Sequence, residues 1–108
     1  MGTASTTSKT FYVSAARNTP ELGREEEAEL ARRWQVGGDR GAANTLARAN
    51  QRHVLALAMK YRHYGVPVDE LVAEGNVGVV HALAKFQPGR GVRFGTYASY
   101  WVRAQMLA

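Results

Sequence analysis

The chain contains no cysteine. A disulfide framework and a thiolate metal site are therefore excluded, and a reducing cytoplasm suits the composition. Proline occurs only at positions 20, 67 and 88, each between apolar-periodic segments, so the stretches between are free to run as helix. No apolar run approaches the ~20 residues that a membrane span needs. Residues 1–10 lack the apolar stretch of a signal peptide and read as a flexible Ser/Thr-rich leader to a single domain over residues 11–108. Acidic residues also run out: none follows Glu74, whereas Lys85, Arg90, Arg93 and Arg103 do. Residues 1–39 carry five basic and six acidic side chains, while residues 40–108 carry nine basic and three acidic. That gradient suits a polyanion near the C-terminal half and a different partner elsewhere.

What is present is helical periodicity. Gly23 to Val36 begins acidic and ends basic, in accord with the helix dipole, and its Ala28, Leu30, Ala31 and Trp34 form an apolar side. Gly37-Gly38 ends it, and Asp39 is placed to cap a second helix. From Arg40 to about Tyr64, apolar residues including Leu46, Val54, Leu57 and Tyr61 keep a three-and-four spacing, interrupted only by Asn50. That break is either a hydrogen-bonded core amide or a group exposed for function. After Gly65-Val-Pro67, Asp69 is a plausible cap for a helix to about Phe86, on which Val72, Val79, Leu83 and Phe86 form one stripe. Gln87 to Gly91 is a loop of turn formers, and a last helix starts near Phe94–Thr96. No strand-like alternation appears. The expectation is an all-α, compact bundle of four to five helices with Leu46, Val54, Leu57, Tyr61, Val72, Val79, Leu83 and Phe86 in its core.

No catalytic constellation emerges, so the chain does not read as an enzyme. His53, His63 and His81 lack metal-ligand spacing and read as surface or packing residues. No cofactor motif is present. Glu70 and Glu74 are i, i+4 neighbours with no nucleophile beside them, which favours a solvated acidic face or a docking surface over acid–base chemistry. The last seventeen residues are different. Arg93, Phe94, Tyr97, Tyr100, Trp101 and Arg103 crowd together, and on a helix Tyr97, Tyr100 and Trp101 share a face. Flat π surfaces beside guanidinium groups suit single-stranded nucleic acid, with bases stacked on rings and phosphates held by cations. The plainer reading, that these rings are core, competes with it.

Three stretches carry a resemblance. They are Asp69-Glu-Leu-Val-Ala-Glu-Gly-Asn-Val-Gly78, Ala84-Lys-Phe-Gln-Pro-Gly-Arg-Gly91 and Arg93-Phe-Gly-Thr-Tyr-Ala-Ser-Tyr-Trp-Val-Arg103. In order and spacing they resemble region two of bacterial RNA polymerase sigma factors of the primary, seventy-kilodalton class. Ala49 to Val54, Lys60-Tyr-Arg62, Arg24 to Ala31 and Tyr12-Val-Ser extend the likeness from about Phe11 to Ala108. The Tyr12–Pro20 wording and the Tyr-Trp pair lean toward an alternative member of heat-shock or developmental type.

The resemblance implies two activities. One surface docks on a coiled coil of the largest subunit of core RNA polymerase, through Glu70, Glu74 and Asn76, with Gln51, Val54 and Val80 nearby. The other recognises and melts the promoter minus-ten element and captures its non-template strand. By position that task falls to Phe86, Arg90, Arg93, Phe94, Thr96, Tyr97, Tyr100, Trp101 and Arg103, with Asn50 and Lys60 near the same strand. An anti-sigma factor is a further candidate partner. Three departures stand out: the usual Trp-Trp pair is Tyr100-Trp101, the polar pair that reads upstream duplex falls on Ala104 and Leu107 with Gln105 as a substitute, and a pocket carboxylate is Gln87. No element for the minus-thirty-five box is present, so the chain reads as a fragment. Two rivals are a helix-turn-helix, which would need polar base readers where Phe94, Thr96 and Tyr97 stand, and a polymerase-docking regulator that does not melt promoters.

Overall fold

A computed structural model describes residues 21–108; the leader and the Tyr12–Pro20 wording lie outside the described residues. Five α-helices and two short 3-10 turns make up their regular structure. Helix α1 is Arg24–Gly37. Glu25, Glu26 and Glu27 fill its first turn, where carboxylates favour the dipole. Gly38 ends it in the left-handed region at φ 67°, its N–H returning to Arg33 and Trp34 carbonyls. Helix α2 is Arg40–Ala49, capped as expected by Asp39, whose Oδ1 accepts from the Ala42 N–H at 3.2 Å.

The single helix expected over residues 40–64 is divided. Helix α2 stops at Ala49 and α3 runs Gln51–Tyr61, followed by a 3-10 turn at Arg62–Tyr64. Asn50 is the break. Its Nδ2 donates to the Leu46 carbonyl at 2.8 Å, and its φ of −104° and ψ of 5° take the chain out of the helix. The apolar spacing continues across the joint, so periodicity alone merges the two helices.

Helix α4 is Val68–Lys85. Its N-cap is Pro67, and Asp69 sits in the first turn and makes no cap hydrogen bond. This corrects the expectation of an Asp69 cap: Pro67 lies at φ −58°, ψ 145° and leads straight into the helix, and Asp69 acts through the dipole instead. A 3-10 turn at Pro88–Arg90 ends in Gly91 at φ 79° and leads to α5, Phe94–Met106.

Helices α4 and α5 lie antiparallel. At Gly78 a Cβ would stand 2.6 Å from the Trp101 carbonyl oxygen, so α5 rests on the α4 backbone there. At the far end, Phe86 meets Phe94 edge-on with centroids 5.2 Å apart. From α1, Trp34 Nε1 donates to the Leu83 carbonyl at 3.1 Å, and Gln35 Nε2 reaches Leu83 and Phe86 carbonyls. These bonds satisfy the free carbonyls at the end of α4. Of the eight expected core residues, seven are buried and Leu57 is half-buried. The core also takes Phe94, Ala98, Val102 and Met106 from α5, an i, i+4 series on one face.

Candidate functional site

The residues expected to capture a strand divide by burial. Phe94 and Phe86 are core rings, 0% and 4% exposed, and neither offers a face to a ligand. Tyr97 and Trp101 are half-buried against the core. Tyr97 rests on Phe86 with centroids 5.7 Å apart, so the buried ring supports the accessible one. Tyr100 is 65% exposed. The three rings therefore grade from core to solvent, with Tyr100 outermost. Thr96, Arg90 and Arg103 are exposed, and Gln105 is half-buried in the last turn of α5.

A polar cleft of about 420 Å3 opens beside the start of α5. Asn50 and His53 line it from the α2–α3 joint, Arg93 from the N-cap of α5, Gly95, Thr96 and Ser99 from α5 itself, and Glu21, Leu22 and Glu27 from the α1 side. Asn50 is the first of the two alternatives, a hydrogen-bonded amide only 6% exposed, and its edge also lines the cleft. Its Oδ1 faces Gly95, where a Cβ would stand 2.8 Å away. Lys60 does not share the cleft. It lies ten residues along, near the other end of α3, about 15 Å away at the helical rise, with Nζ 5.6 Å from the centre of the Tyr61 ring.

Glu27 is the group that sequence reasoning missed. It is 6% exposed and ties α1 to the start of α5. Its Oε1 accepts from the Phe94 N–H at 2.8 Å and from Arg93 Nε at 3.0 Å, and its Oε2 accepts from Arg93 Nη2 at 3.3 Å. Arg93 Nη2 also donates to the Leu22 carbonyl at 2.7 Å. Arg93 is thus held in a fixed pose, and the Glu27 hydrogen bond, followed by its charge, raises its pKa above the ordinary guanidinium value. The only hint in the sequence was an acidic run, and the acceptor role depends on residues 66 and 67 positions away.

Glu27→Ala should lower the unfolding free energy by ~1–3 kcal/mol, because the buried Phe94 N–H loses its acceptor. Glu25→Ala, on an exposed side chain of the same turn, should change it by less than ~0.5 kcal/mol. Denaturant unfolding of both variants separates the two, and equal small changes would remove Glu27 from this role.

The residues expected to dock on the polymerase lie on α3 and α4. Glu70, Glu74 and Val80 are exposed on α4. Gln51 Nε2 donates to Asn76 Oδ1 at 2.7 Å, bracing α3 against α4. Val54 is 1% exposed and belongs to the core cluster, which corrects its expected place among the docking contacts: its apolar side chain is taken up in packing α3 against α4. Among the described residues no cluster of three or more His, Asp or Glu could hold a metal ion, and no helix is long and apolar enough to cross a membrane.

Comparison with known proteins gives the family of the chain. The chain is 42% identical over 95 residues to the RNA polymerase sigma factor RpoH of Caulobacter vibrioides, covering 88% of this chain and 32% of that protein. It is 44% identical over 95 residues to RpoH of Rhizobium radiobacter, with the same coverage. To the RNA polymerase sigma-C factor of Myxococcus xanthus it is 39% identical over 93 residues, covering 86% of this chain and 31% of that protein. The chain spans about a third of the length of these curated relatives. The pattern of the family described as sigma-70 region 2 matches residues 46–108, the span from Leu46 through the Asn50 joint, the acidic face of α4 and all of α5. The chain therefore belongs to the sigma-70 region 2 family, and the relatives it matches are RNA polymerase sigma factors.

Proposed function

We propose that the chain docks on core RNA polymerase through the outer face of α4 and captures the non-template strand of the promoter minus-ten element along α5. The observation that carries this is the graded ring set Tyr97, Trp101 and Tyr100 beside a polar cleft walled by Asn50, Arg93 and Thr96. Extruding a base costs a few kcal/mol, and each base–aromatic stack returns ~1–3 kcal/mol. Two or three stacks suffice to hold an opened strand without ATP, given further contacts from the polymerase. Arg90 and Arg103 are exposed cations for phosphates, whereas Arg93 is held by Glu27 and shapes the cleft wall. Family membership supports both halves of this reading, as does the absence of acidic residues beyond Glu74.

The test is binding of the chain to single-stranded oligonucleotides with a TATAAT-like or a scrambled sequence, with and without the polymerase coiled coil. Tyr97→Ala should lose ~1–3 kcal/mol of strand affinity, mainly where adenine occupies the second position of the element, and Tyr97→Phe should retain most of it. Arg103→Ala should weaken both sequences alike and reduce the salt slope by about one, because a phosphate contact carries no base information. Equal loss on both oligonucleotides for Tyr97→Ala would make that ring a general platform, and base capture would pass to another group.

A further inference from the structure

His81 belongs to neither surface so far. It is exposed on α4, adjacent to Val80 of the docking face, and its imidazole lies on the Trp101 indole. The ring centroids are 5.5 Å apart and the planes are inclined by 28°, a stacked arrangement. The approach is set by Gly78, three residues earlier on the same face of α4, where the Trp101 backbone occupies the space a Cβ would fill. Close passage of α5 at Gly78 brings the indole within reach of the next turn, and His81 meets it there.

A stacking platform is most effective when its plane is fixed before the ligand arrives, since ordering a side chain on binding costs affinity. Trp101 is half-buried, with its inner side packed on the core, and the stack from His81 restrains the rest of the ring. A glycine alone would permit the helix approach without fixing the indole. We propose that His81 is a positioning residue for strand capture, holding the Trp101 indole in the plane it presents to nucleobases. This rests on the strand-capture reading above. His81 acts through Trp101, so its ring matters and its nitrogens do not.

The test uses the full chain with Trp34→Phe, which leaves Trp101 as the only indole. Acrylamide quenching of Trp101 fluorescence and anisotropy titration with a TATAAT-like single strand are measured for His81→Ala, His81→Phe and Trp101→Ala, the last by anisotropy only. His81→Ala should raise the quenching and weaken strand binding roughly 2- to 10-fold, the range of one aromatic pair. His81→Phe should restore both. If His81→Ala leaves quenching and affinity unchanged while Trp101→Ala weakens binding, the proposal falls and the strand-capture reading stands. If His81→Phe is as weak as His81→Ala, the ring is not the active feature and the proposal also falls. If Trp101→Ala binds like its parent, strand capture by this ring fails and takes the proposal with it.

Discussion

Phe94→Ala is expected to destabilise the domain by ~3–5 kcal/mol, the cost of deleting a fully buried aromatic ring. The ring is 0% exposed and meets Phe86 edge-on, an arrangement that adds ~0.5–1.5 kcal/mol beyond burial. The backbone N–H of Phe94 that Glu27 accepts from remains in this variant, so the loss reports the ring alone. A domain of this size has only ~5–15 kcal/mol in total, so a large fraction would be lost. Phe94→Leu provides the graded case: it keeps most of the apolar volume and should fold. Tyr100→Ala, by contrast, should alter stability by less than ~0.5 kcal/mol while weakening strand binding. Chemical denaturation and oligonucleotide titration of the three variants separate core from contact. A loss below ~1 kcal/mol for Phe94→Ala, with strand binding abolished, would move Phe94 from the core to the interface.

The same ring shows where the sequence stops being legible. The breaks at Gly37-Gly38, Pro67 and Pro88 are plain in the sequence, because these residues act locally and carry their geometry in their own backbone preferences. The core of α3 and α4 was plain too, because Val54, Tyr61, Val72, Val79 and Leu83 repeat at helical spacing. On α5 two stripes overlap. Phe94, Ala98, Val102 and Met106 face inward, and Tyr97, Tyr100 and Trp101 flank them. Both are apolar, so spacing cannot rank them, and only tertiary packing separates the inward stripe from the aromatic one. Asn50 failed as a boundary for a related reason: the apolar pattern is continuous on both sides of it, and the bond to Leu46 that divides the helix is made by a side chain. The partners of Glu27 and His81 are beyond reach of the sequence, although His81 is the surface and packing residue its spacing suggests. Glu27 is defined by Arg93 and Phe94 on a distant helix, His81 by an indole brought near through Gly78. Long-range partners of this kind leave no periodic trace.

Glu74→Lys is expected to abolish docking on the polymerase coiled coil while leaving the fold intact. Glu70 and Glu74 are exposed i, i+4 neighbours on α4, and neither forms an ion pair among the described residues. Like charges at that spacing cost a helix ~0.2–0.5 kcal/mol. Glu70 lies in the first turn of α4, where the dipole offsets that cost. Glu74 lies beyond the first turn and has no such offset. Its charge is a small local liability to the helix, and under the proposed docking it would face a basic partner. Neighbouring Val77 and Val80, 44% and 64% exposed, supply apolar area that such an interface would cover. Reversing the charge should therefore act in opposite directions on the two properties. The free domain should be unchanged or slightly more stable, because the introduced ammonium can pair with Glu70. The complex should lose several kcal/mol, because an attractive contact becomes a like-charge one. Thermal unfolding and co-purification with core polymerase measure the two sides. A variant that unfolds normally and still co-purifies in full would exclude Glu74 from the docking surface.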